Sequence, residues 1–185
     1  MSHPPYTPEA VLAFWFSDEA RALWFSSTPE RDAALRNCYA PLWELAAGGG
    51  HDHWAAHLAG ARALVIVLDQ FPLNMFRGTP RAFHSEAKAR EIARRALVLP
   101  GAATLSADER LFLHLPFTHS EHLPDQDESV HLFEAAGMTD GLKWAQHHRD
   151  IVRRFGRFPH RNAILGRAST PEELAWLASP DGFHG

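Results

Sequence analysis

The same helix-start signal recurs four times along this chain. Thr7-Pro8-Glu9 precedes the apolar positions Val11, Leu12, Phe14 and Trp15, and Thr28-Pro29-Glu30 precedes Ala34, Leu35 and Cys38. Ser106-Ala107-Asp108-Glu109 precedes Leu111, Phe112 and Leu115, and Thr170-Pro171-Glu172-Glu173 precedes Leu174, Trp176 and Leu177. In each, a hydroxyl oxygen is placed to accept from a backbone N–H that has no partner inside the helix. Proline fits the first turn, and the glutamate faces the positive helix end. No strand signal of comparable strength competes. The chain is therefore expected to be all-α, a single domain over 1–185 built of antiparallel helical hairpins.

Apolar periodicity and breakers place helices near 8–16, 29–47, 53–70, 85–98, 107–115, 126–136, 140–155 and 171–178. The best strand candidate, Ala63 to Leu68, continues from His53 to Leu58 without a break. It reads as one buried helix with Gly60 inside it. Gly48-Gly49-Gly50 ends one helix, Pro100-Gly101 another, and Gly156 takes a C-cap position after Arg153 and Arg154. Phe14, Trp15, Phe16, Trp24 and Phe25 are expected in the core, and Cys38, with apolar neighbours at helical spacing, is expected to be packed.

Composition narrows the class. An apolar fraction of 45% with six Trp supports a real core, and the formal net charge of −4 argues against nucleic acid. No apolar run reaches the ~20 residues of a membrane span. One cysteine fits a reducing compartment, and Met1 to Pro5 lacks the pattern of a signal peptide. A cytoplasmic protein with no membrane partner is expected. Positive charge is nevertheless local: residues 143–167 hold seven Lys and Arg against the single acid Asp150. That asymmetry suits a small anion better than a long polyanion.

Three polar clusters stand apart from the helical scaffold. Leu68-Asp69-Gln70-Phe71-Pro72 runs on through Asn74 to Arg77-Gly78-Thr79, so that a carboxylate follows the most apolar stretch of the chain and needs donors. His119-Ser120-Glu121-His122 leads to Asp125-Gln126, with Asp125 and Glu128 read as a capping box. Its histidines lack the helical spacing of a metal pair, so no metal is expected. Phe155-Gly156-Arg157-Phe158-Pro159-His160-Arg161-Asn162, with Leu165-Gly166-Arg167 after it, displays guanidiniums and an imidazole around a bend. The row His148, Val152, Gly156 carries His148 toward that bend. No phosphate loop, nucleophile elbow, Cys-x-x-Cys or His-Glu-x-x-His is present, and no cofactor is implied.

These motifs in order, together with Val11-Leu12 and Phe14-Trp15-Phe16, resemble a bacterial family, the domain of unknown function 924. Leu73 stands where the family's Leu-Asp-Gln-Phe-Pro segment continues with Arg. The resemblance implies a helical fold similar to tetratricopeptide-like arrays and no established activity. It marks Asp69, Gln70, Asn74, Arg77, His119, Ser120, Glu121, Asp125, Gln126, Arg157, His160, Arg161 and Asn162.

Two readings follow. In the first, these residues line one pocket for a small anionic or polar metabolite. Asp69, Gln70, Asn74, Arg77, Ser120, Asp125, Gln126, Arg157, Arg161 and Asn162 bind, and any chemistry falls to His160, His119 or Glu121. In the second, the chain is a helical module for a peptide or protein partner, and the polar residues are a structural brace.

Overall fold

The computed structural model describes residues 6–183, so the expectation about Met1 to Pro5 lies outside the described residues. Helices form α1 (Pro8–Trp15), α2 (Asp18–Arg21), α3 (Pro29–Ala47), α4 (Leu58–Val65), α5 (Phe71–Met75) and α6 (Glu86–Ala96). They continue as α7 (Ala107–Thr118), α8 (Leu123–Ala135), α9 (Thr139–Phe155) and α10 (Pro171–Leu177). The described residues hold no strand. The fold is all-α.

All four start signals act as read. Thr7 accepts from Ala10 N and Thr28 from Arg31 N. Ser106 and Glu109 exchange bonds, as do Thr170 and Glu173. The expected box at Asp125 and Glu128 is corrected. The helix begins earlier, at Leu123, because Pro124 fits its first turn, and Asp125 accepts from Ser120 instead.

Contacts group the chain into two compact units, one of residues 1–77 and 81–116, the other of 78–80 and 117–185. In the first, α4 packs on α1 and α6, and α3 packs on α5. The continuous helix expected over 53–70 is corrected. A 3₁₀ turn at Asp52–Ala56 precedes α4, and a π-helical segment, Ile66–Gln70, joins α4 to α5. The break before α4 brings the Trp54 carbonyl against Gly60. A Cβ there would collide with that backbone oxygen. Gly60→Ala should therefore destabilise by about 1–3 kcal/mol through overpacking, against a helix-propensity gain of only about 1 kcal/mol. A thermal melt checks this, and an unchanged or raised midpoint refutes it.

Two expectations about burial are also corrected. Cys38 is exposed, and so are Phe14 and Phe25. All three lie on faces of α1, α3 or the segment after α2 that the unit's core does not cover.

In the second unit, α8 and α9 pack closely side by side across a short link that contains Gly137 at φ 66°. Ile151, Val152, Phe158 and Trp176 form its core, flanked by Leu123, Phe155, Leu177 and Phe183. Gly156, at φ 71°, ends α9 as the sequence predicts and turns the chain into the Phe158–Asn162 bend.

Candidate functional site

The bend is held by a chain of charge-assisted hydrogen bonds. Arg157 grips Glu173 with two nitrogens, at 2.7 and 2.9 Å, and donates a third bond to Ala168 O at 3.0 Å. Glu173 is 2% exposed and also accepts from Thr170 N and the Asn162 amide. The Arg157 bonds, with these further donors, bring its carboxyl down to about 2 despite burial. One residue thus closes a helix cap and anchors a guanidinium.

A second fork mirrors the first. Arg167 donates to both oxygens of Glu121, at 2.6 and 2.8 Å, and Phe158 N donates to Glu121 at 2.7 Å. Burial raises the Glu121 pKa, but the Arg167 bonds, the Phe158 N–H and the charges of Arg167 and Arg161 more than reverse it, so the net shift is downward. Asn162, fully buried, joins the two forks. Its amide nitrogen donates to Ser169 Oγ and Glu173, and its oxygen accepts from Arg167 Nε at 3.0 Å. The network runs unbroken from Arg157 through Glu173, Asn162 and Arg167 to Glu121.

Behind it lies an imidazole and aromatic cluster. Phe158 meets His148 and His160, each at 5.5 Å between ring centroids, and the Arg161 guanidinium sits 4.8 Å from its face. Arg161 is 6% exposed. Phe183 packs on His148 at 4.8 Å and His160 at 5.0 Å. His148 Nδ1 lies 2.8 Å from Trp144 O, a pure acceptor, which assigns the proton to Nδ1 and the lone pair to Nε2. Burial first, then the neighbouring His119, His147 and His160, push the His148 pKa down to about 3.

The turn after α7 is fixed by the remaining motif residues of this unit. Ser120 Oγ donates to Asp125 at 2.7 Å and accepts from His122 N. The fully buried Gln126 donates to Thr118 O at 2.7 Å and to Ser120 O at 2.6 Å, satisfying carbonyls at the end of α7. Among the described residues, no three His, Cys, Asp or Glu side chains are grouped to hold a metal ion.

The first motif belongs to the other unit. The π segment places Asp69 and Gln70 in the interior, 0% and 4% exposed, with the Gln70 amide donating to the Asp69 carboxylate. A π step displaces carbonyls from their helical partners. Here Ser85 Oγ donates to Leu68 O, Trp43 Nε1 donates to Ser85 Oγ, and the Asn74 amide donates to Gln70 O. Arg77 bonds Asn74 Oδ1 and Asp32, both at 2.9 Å.

A family model described as a bacterial protein of unknown function, DUF924, matches residues 11–181. The chain belongs to this family. A solved structure of a protein of unknown function from Agrobacterium tumefaciens is 36% identical, with a TM-score of 0.86 over 92% of this chain and 96% of that one. No curated protein matches.

Within this DUF924 chain, Glu121, Arg157, His160, Arg161 and Asn162 gather at the bend, Ser120, Asp125 and Gln126 fix the turn after α7, and Asp69, Gln70, Asn74 and Arg77 lie in the first unit. Sequence reasoning passed over Glu173 and Arg167 as site members. Glu173 reads locally as a helix cap, although its strongest partner is 16 residues away. Arg167 had only its place after Leu165-Gly166 as a signal. Chemically, the two forks leave Glu121 poorly suited to proton transfer, because both of its oxygens accept from Arg167.

Proposed function

We propose that this chain is a helical binding module in which the motif-rich bend is a structural brace. The observation that carries the reading is closure: Arg157 and Arg167 each engage a carboxylate bidentately, and Asn162 bridges the two pairs. An anion arriving at either guanidinium would have to displace a carboxylate already bound in its best geometry. That favours the brace over the small-anion pocket expected from Arg157, Arg161 and His160. The binding surface then belongs elsewhere on the helices, where large apolar side chains such as Phe14, Phe25 and Trp144 reach solvent.

A thermal-shift screen against phosphorylated and carboxylated metabolites, run on the native chain and on Arg161→Ala, tests this. Under the brace reading Arg161→Ala lowers the midpoint of the unliganded protein. No anion then raises the native midpoint in an Arg161-dependent way. A saturable anion-dependent rise that disappears in Arg161→Ala overturns the reading.

A further inference from the structure

Between α1, α2 and α3 the first unit holds a cavity of about 170 Å³. Its wall is apolar and largely aromatic: Phe14, Trp15, Leu23, Leu35 and Tyr39. A dry cavity of roughly 150 Å³ is enough to take up benzene, so this one holds one ring or one branched aliphatic chain and little more.

Two charges of opposite sign line the same cavity, Glu19 and Arg31. Both are exposed, and neither forms an ion pair with any described residue. Other cations of this unit do find acids: Arg21 pairs with Asp108, Arg62 with Glu109, Arg77 with Asp32, Arg81 with Glu44 and Lys88 with Asp52. Arg31 follows the N-terminus of the 19-residue α3, where the helix end adds positive potential. Trp15, only 4% exposed, keeps an indole N–H with no acceptor among the described residues. Burial pushes the Tyr39 hydroxyl up to about 12, so it stays protonated and a donor at any physiological pH.

An apolar slot of one-side-chain volume, with one cation and one anion beside it, matches one ligand chemistry. We propose that this cavity binds a free α-amino acid with an apolar side chain, in its zwitterionic form. Arg31 takes the carboxylate, Glu19 takes the ammonium, and the side chain enters between Phe14, Trp15 and Tyr39. The assignment rests on the binding-module reading and gives that module its ligand class. A peptide terminus presents only one of the two charges beside its side chain, so the pairing of Glu19 with Arg31 selects the free amino acid.

Cys38 lines the same cavity, is exposed, and is the chain's single cysteine, so it reports occupancy directly. Calorimetry and Cys38 alkylation by iodoacetamide are run on the full chain with L-phenylalanine and L-leucine. Three controls are N-acetyl-L-phenylalanine, L-phenylalaninamide and a dipeptide of phenylalanine and glycine. Saturable binding of the two amino acids, with slowed alkylation of Cys38, is expected. Blocking either charged group, or substituting Arg31→Gln or Glu19→Gln, should weaken binding about ten- to a hundredfold, the worth of one charge-assisted bond. In Arg31→Gln the amide should suffer no further loss, since the partner of its missing carboxylate is already gone.

Absence of saturable binding up to about 10 mM, tenfold beyond a weak millimolar site, overturns the proposal, as does binding that leaves Cys38 alkylation unchanged. Equal affinity for the dipeptide overturns the free amino acid. None of these measurements touches the brace. Failure here removes the ligand class alone, whereas an Arg161-dependent anion response removes the module reading itself.

Discussion

Glu173→Ala is expected to lower stability by about 2–4 kcal/mol, a large effect for a single polar side chain. Three losses combine. The helix cap at Thr170 loses its reciprocal half, worth about 1 kcal/mol. The buried Asn162 amide loses an acceptor, at about 1–3 kcal/mol. Arg157 loses its bidentate partner, but its side chain is about a quarter exposed and regains water, so this contributes least. At roughly 2–4 °C per kcal/mol for a chain of this size, the melting midpoint should fall by about 5–15 °C. Glu173→Gln keeps the shape and one acceptor and should fall in between. The neighbour Glu172 pairs with Arg154 on the surface, both side chains more than half exposed, and Glu172→Ala should change stability by no more than about 0.5 kcal/mol. If Glu173→Ala melts like Glu172→Ala, the brace does not exist as described.

That contrast between adjacent glutamates marks where sequence reasoning reaches and where it stops. Helix starts are local: a hydroxyl and an acid within four residues, joined in three of the four by a proline, decide them, and all four are readable. Glu172 and Glu173 carry the same residue type in the same first turn. Only the Arg157 side chain, arriving from the end of α9, separates a surface acid from a buried anchor. The π segment was hidden for a similar reason. Ile66 to Gln70 is compatible with an ordinary helix, and the Leu68 carbonyl is satisfied by Ser85, 17 residues later. Cys38 erred in the opposite direction, since helical spacing identifies a face without saying what covers it. The family motifs mark the right positions around the bend, but recurrence of residues does not distinguish a brace from a binding site.

Stability should also fall steeply as the solution is made mildly acidic, before any carboxylate titrates. Two imidazoles, the buried His114 and the partly buried His148, are held neutral. Burial brings His114, 2% exposed, down to about 4, with the charge of Arg110 adding to the effect, and His148 lies at about 3. His51 is displaced in the same direction by its own burial and by His53. The unfolded chain binds these protons near pH 6.5, whereas the folded chain refuses them until far lower. The sign is therefore fixed: stability is complete above about pH 6.5 and declines as pH falls below it. Each group contributes a slope of about 1.4 kcal/mol per pH unit, so His114 and His148 together remove about 4 kcal/mol between pH 7 and pH 5. Glu109, Glu121 and Glu173, whose pKa values are lowered, act only further down, where the unfolded carboxylates take up protons below pH 4.5. Urea unfolding at several pH values between 7 and 5 measures the slope. Within His148→Phe, whatever its stability at pH 7, the slope should drop by about half, and His114→Phe should do the same. The two histidines lie in different compact units. If unfolding resolves into two transitions, His114 steepens one and His148 the other. A slope that neither substitution changes would mean that both imidazoles take up protons in the folded protein, and the burial of His148 behind Phe158 and Phe183 would then be wrong.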